Sequence, residues 1–170
     1  MKKTIQRRQF IGTSLVAGAA VTLAGGALLR SGAALADNVA GWPAKAFDAK
    51  ALDQAMAASV GKNNVPVSPK VKLTAPTIAE NGGAVPVTIE IDSPMTTDDY
   101  VSTVWLFVDH NPTPLASQFD LTPGLGAAYF QQRIKMAKTD NVRVIAKTSK
   151  GEFMASAPRE VKVTIGGCGG

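Results

Sequence analysis

Two hydrophobic periods divide the chain. Between Pro43 and Val60, apolar residues return every three or four positions, at Phe47, Ala51, Leu52, Ala55, Met56 and Ala58. That spacing keeps one side of a helix apolar and predicts a helix over residues 43–60. Pro43 suits the first turn, where its missing N–H is not needed, and Gly61 suits the end. The many alanines imply close packing on a larger body. Core packing is the expected role, with partner docking as the alternative.

From Val65 onward the period falls to two. Val85, Val87, Ile89 and Ile91 alternate with Pro86, Thr88 and Glu90. Leu115, Ser117, Phe119 and Leu121 alternate with mostly polar neighbours. So do Phe130, Gln132, Ile134 and Met136, and later Val161, Val163 and Ile165. Residues 142–148 and 152–157 are two further candidate strands. Tyr100 to Asp109 is apolar on both faces, as a central strand is. Turn signals separate these runs, among them Asn81-Gly82-Gly83, Asn111-Pro112, Pro123-Gly124 and Lys150-Gly151. Seven or eight short strands at this spacing predict an all-β, immunoglobulin-like antiparallel sandwich with an N-terminal helix. No cysteine pair joins the sheets, so apolar burial has to stabilise them.

The first 36 residues have a different character. Their n-region is positive, their middle is small and apolar, and Ala34-Leu35-Ala36 offers a cleavage site before Asp37. Arg7 and Arg8, followed by Phe10 and Ile11, have the pattern of a twin-arginine export signal. Arg30 and several glycines argue against a retained membrane anchor. The expected organisation is a removable signal over 1–36, a helix-plus-sandwich domain over 37–165, and an arm over 166–170. The expected location is the periplasm. The twin-arginine route exports folded proteins, so the chain is expected to carry a partner subunit with it.

The formal net charge is +5. Lys2, Lys3, Arg7, Arg8 and Arg30 all lie in the signal, which holds no acid. The mature chain is therefore formally neutral, which removes the long-range field that nucleic-acid binding uses. Lys135, Lys138, Arg143, Lys147 and Lys150 remain close in sequence and are expected to form a solvated face.

The chain ends Ile165-Gly166-Gly167-Cys168-Gly169-Gly170, and Cys168 is its only cysteine. Four glycines flanking one residue occur by chance at a frequency on the order of 10⁻⁵. Exported proteins normally pair their cysteines, so an unmatched one signals an intermolecular bond or a reactive thiol. Gly166, Gly167, Gly169 and Gly170 are expected to be flexible and slim flanks. Five residues beyond Ile165 reach roughly 17 Å when extended. The alternative is an interaction subunit tethered to a partner through a Cys168 disulfide.

A self-sufficient enzyme is not expected. The only histidine, His110, sits at a strand end and reads as a turn residue. One Cys and one His make no zinc, haem or blue-copper ligand set. No glycine loop of phosphate-cradling form precedes a helix. No cofactor or metal is therefore expected.

The tail Val161–Gly170 resembles the C-terminus of the SoxY family, the sulfur-carrier subunits of the thiosulfate-oxidising (Sox) system. Ile78-Ala79-Glu80-Asn81-Gly82, Val85-Pro86-Val87, Asn111-Pro112, Phe119 to Gly124 and Arg133 to Thr139 are similar to that family as well. The resemblance implies an immunoglobulin-like sandwich paired with a SoxZ-like β-protein. It implies a c-type cytochrome that loads thiosulfate onto Cys168, a thiosulfohydrolase that releases sulfate, and a sulfane dehydrogenase where one is present. In that scheme the chain is a carrier on which other enzymes act.

Overall fold

The computed structural model describes residues 43–167. The predicted helix is two short helices, α1 (Ala44–Asp48) and α2 (Leu52–Ser59). Ala49 and Ala51 between them are extended, with ψ of 141° and 146°. The break follows from packing: it brings Ala46, Ala49, Ala55 and Met56 onto the same underlying sheet. Gly61 ends the segment with a φ of 74°, a conformation that glycine adopts without strain.

Nine strands follow among the described residues. They are β1 (Val71–Thr74), β2 (Ile78–Asn81), β3 (Val85–Ile91), β4 (Val101–Val108), β5 (Leu115–Asp120), β6 (Ala128–Ile134), β7 (Asp140–Thr148), β8 (Phe153–Ala155) and β9 (Arg159–Ile165). One sheet has the order β1-β3-β6. The other has the order β2-β9-β7-β4-β5, with β8 also on β7. The expected sandwich is present. One pairing departs from the antiparallel pattern: β2 runs parallel to β9, with Ala79 opposite Val163 and Asn81 opposite Ile165. Asn81-Gly82-Gly83 had signalled only a turn. The strand before it contributes one buried residue, Ala79, too little alternation to reveal a strand.

The main core lies between the sheets. Val85, Val87, Ile89 and Ile91 of β3 face Val104, Leu106 and Val108 of β4 and Val142 and Val144 of β7. The two-faced apolar pattern of β4 has a direct cause. Its other face carries Trp105 and Phe107, which α1 and α2 cover. The alanine-rich helices thus complete a second core on the outside of the larger sheet. Complete burial of a side chain such as Phe107 contributes about 1.5–3 kcal/mol.

The alternation expected for β5 slips by one residue. Ser117 pairs with Leu106, but Leu115 pairs with Phe107, so Ala116 forms a bulge. Leu115 therefore faces the helices while Phe119 faces the sandwich, where its ring lies 4.7 Å from that of Phe130. Gln132 Nε2 donates to Ser117 Oγ at 2.8 Å, and together these contacts link β5 to β6 between the sheets.

Candidate functional site: the base of the C-terminal arm

The last strand carries the tail to one end of the sandwich. Val161 is fully buried, whereas Ile165 lies past the core and is 68% exposed. Three bonds hold this strand end on its flanks. The Lys162 amide donates to the Thr77 carbonyl at 3.0 Å, and the Val163 amide to Thr139 Oγ1 at 2.9 Å. The Gly167 amide donates to the Met136 carbonyl at 2.9 Å. The Met136 amide in turn donates to the Gly82 carbonyl at 2.7 Å.

The backbones of Gly166 and Gly167 lie close against the body of the domain. A Cβ on Gly166 would overlap the Ala137 carbonyl oxygen, and one on Gly167 would lie 2.6 Å from the Gly82 oxygen. Their small size serves a close approach between backbones. Cys168, Gly169 and Gly170 lie outside the described residues, as do Arg7 and Arg8 of the expected export signal.

Three consecutive residues after β4 brace the segment that receives the tail, residues 135–140, and the strand that follows it. Asp109 binds Arg143 through both carboxylate oxygens, with Arg143 Nε to Oδ1 at 2.7 Å and Nη2 to Oδ2. His110 Nδ1 donates to Asp140 Oδ1 at 2.8 Å, and the His110 amide donates to Oδ2 at 2.6 Å. Asn111 Nδ2 donates to the Lys135 carbonyl at 2.7 Å, and its Oδ1 accepts the Ala137 amide at 3.0 Å. The His110 ring is exposed and Asp140 is buried, so His110 is a turn residue with a structural partner. The sequence marked Asn111-Pro112 as a turn. It gave no sign that the Asn111 side chain closes on a segment more than twenty residues away.

The expected basic face is divided among separate partners. Arg143 is bound by Asp109, Lys150 pairs with Asp99 at 2.8 Å, and Lys147 sits over the Phe153 ring. The Asp99 hydrogen bond and charge hold Lys150 above the ordinary lysine range. Among the described residues, no group of three or more His, Cys, Asp or Glu side chains is placed to hold a metal ion. Nor is any of their helices long and apolar enough to cross a membrane.

A two-sheet sandwich, capped by helices on one face and with β9 leading into Gly166 and Gly167, defines an immunoglobulin-like β-domain. The pattern of the family described as "Sulfur oxidation protein SoxY" matches residues 56–168 and ends on Cys168. The structure is similar to that of the sulfur carrier protein SoxY from Chlorobium limicola f thiosulfatophilum. The identity is 36% and the TM-score 0.55, over 67% of this chain and 96% of that one. This chain belongs to the SoxY family. A superoxide reductase (neelaredoxin) from Ignicoccus hospitalis matches at 15% identity and TM-score 0.49, over 62% of this chain and 86% of that one. A putative superoxide reductase from Thermotoga maritima matches at 12% and 0.46, over 55% and 84%. No curated protein sequence matches the chain.

Proposed function

We propose that this chain is the covalent sulfur carrier of a periplasmic thiosulfate-oxidising system, with Cys168 as the attachment point. The observation that carries the reading is the family match running through Cys168. It is supported by the similarity to the sulfur carrier protein SoxY from Chlorobium limicola f thiosulfatophilum and by a last strand that leads to the tail. The chain acts as a carrier and not as a catalyst.

Loading joins the Cys168 sulfur to the outer sulfur of thiosulfate. The thiol loses its proton, two electrons pass to a c-type cytochrome, and a cysteine S-thiosulfonate forms. Water then cleaves the bond between the sulfane sulfur and the sulfonate. Sulfate leaves and a persulfide stays on Cys168. A sulfane dehydrogenase, where present, takes electrons from that outer sulfur as oxygen from water adds to it and protons leave, giving a cysteine S-sulfonate. A second hydrolysis releases sulfate and restores the thiol. A thiolate is the better nucleophile for the first step. The chain needs no cofactor of its own for this sequence, since its cargo is the sulfur. A SoxZ-like β-protein is its heterodimer partner. The twin-arginine signal built on Arg7 and Arg8 exports the folded pair.

Intact mass measurement of protein isolated from thiosulfate-oxidising cells tests the reading. The expected result is a chain starting at Asp37, with reductant-labile sulfur or thiosulfonate on the Cys168 peptide. A Cys168→Ser chain should fold, carry no adduct and support no thiosulfate oxidation. Only free thiol or a simple disulfide during active oxidation would overturn the carrier reading in favour of a tethered interaction subunit.

A further inference from the structure

The glycines of this domain fall into two physical classes. Gly61, Gly126 and Gly151 have positive φ, and nothing lies within 4 Å of a Cβ built on any of them. They are glycine because of their backbone conformation. Gly82 is the opposite case. Its φ is not positive, it is buried, and a Cβ there would overlap the Met136 carbonyl oxygen. The same Cβ would lie 2.8 Å from the Gly167 nitrogen and 2.8 Å from Val163 Cγ1. Turn geometry does not require glycine at position 82; the close passage of the Met136 carbonyl does, and the Gly167 backbone beside it adds to the requirement.

We propose that Gly82 is a positioning residue for the C-terminal arm: with the Met136 and Ala137 carbonyls it forms a backbone seat for Gly166 and Gly167. The seat fixes where Cys168 leaves the domain. This inference rests on the reading of Cys168 as the carrier thiol.

The parts of the seat reinforce one another. Gly82 accepts the Met136 amide, and Met136 accepts the Gly167 amide, so three backbones stand side by side without side chains between them. Asn81 Oδ1 accepts the Gly83 amide at 2.7 Å and caps the turn that holds Gly82 in place. Asn111 pins the Lys135 carbonyl and Ala137 amide on either side of Met136. The consequence is one of reach. With the seat occupied, the reach of the thiol is counted from the bound Gly167. Drawing Gly166 and Gly167 out adds roughly 7 Å. A partner whose channel is deeper than the seated arm can serve therefore has to break the Gly167–Met136 bond.

Amide hydrogen exchange on the full mature chain, in complex with its partner, tests this. In the wild type the Gly167 amide should exchange at least several-fold more slowly than an unprotected peptide. In Gly82→Ala it should lose that protection and exchange roughly fivefold faster than in the wild type, the effect of losing one hydrogen bond. Alkylation of Cys168 by a bulky maleimide should also speed up in that variant relative to a small one, a change that lower stability alone does not produce. Gly167→Ala provides a second route to the same state, with Gly82 intact, and should speed alkylation in the same way. Unprotected Gly167 in the wild type, or an unchanged alkylation ratio in both folded variants, would overturn the proposal. Exchange at Gly167 is also read in Cys168→Ser, so loss of the seat and loss of sulfur loading are separate results.

Discussion

The Ala137 amide donates to the Asn111 side-chain oxygen at 3.0 Å, while the Asn111 amide group binds the Lys135 carbonyl at 2.7 Å. One buried side chain, 3% exposed, thus sets the path of the segment whose carbonyls touch the tail. Asn111→Ala leaves two backbone groups without their partners in a part-buried site. The expected loss is about 2–3 kcal/mol, read by urea unfolding. Asn111→Asp should not rescue it, because a carboxylate cannot donate to the Lys135 carbonyl. Stability equal to the wild type in either variant contradicts this account.

Asp109 and Arg143 form a bidentate pair in which Asp109 is buried and Arg143 is partly exposed. Asp109→Ala leaves the guanidinium without its counter-charge. The expected cost is about 2 kcal/mol, less than for a wholly buried pair because Arg143 still reaches water. The double variant Asp109→Leu/Arg143→Met should regain most of that loss. A double variant less stable than the single one would show that the pair is worth more than the charge it neutralises.

Ala55 is fully buried between α2 and the larger sheet. Ala55→Leu forces extra volume against Trp105 and Phe107 and should cost about 1–3 kcal/mol. Thermal unfolding checks it. An unchanged midpoint would mean that the helices are not tightly packed on that sheet.

Gly166→Val should displace the tail while leaving the sandwich close to wild-type stability. The Gly167 bond is a single hydrogen bond at the end of the last strand, worth about 1 kcal/mol. Chemical shifts at Ala137 and Gly82 should move, and delivery of Cys168 to partner enzymes should slow. Wild-type shifts at both positions would contradict the contact.

Cys168→Ser should leave unfolding unchanged within about 0.5 kcal/mol. The predicted loss is chemical: no sulfur adduct in the intact mass and no thiosulfate-dependent respiration. A folded Cys168→Ser chain that still supports oxidation would mean that another group carries the sulfur.

The sequence alone determined the class of fold and pointed to the tail. Strict alternation in Val85–Ile91 and the two-faced run before Asp109 mark strands because side chains on a strand point to opposite sides, and burial acts on each side separately. The unmatched Cys168 among glycines is legible because composition records it directly. Only the tertiary structure decided the remainder. The break at Ala49–Ala51 and the bulge at Ala116 each follow from fitting a chain segment to a curved partner surface, which local spacing does not encode. The parallel pairing of β2 with β9 joins residues about eighty positions apart. The same holds for Gly82. In the sequence it reads as a turn glycine, like Gly151, and its second neighbour is visible only when Gly167 arrives from the far end of the chain. A close approach between two backbones depends on both of them, and their separation along the chain leaves no local pattern in either.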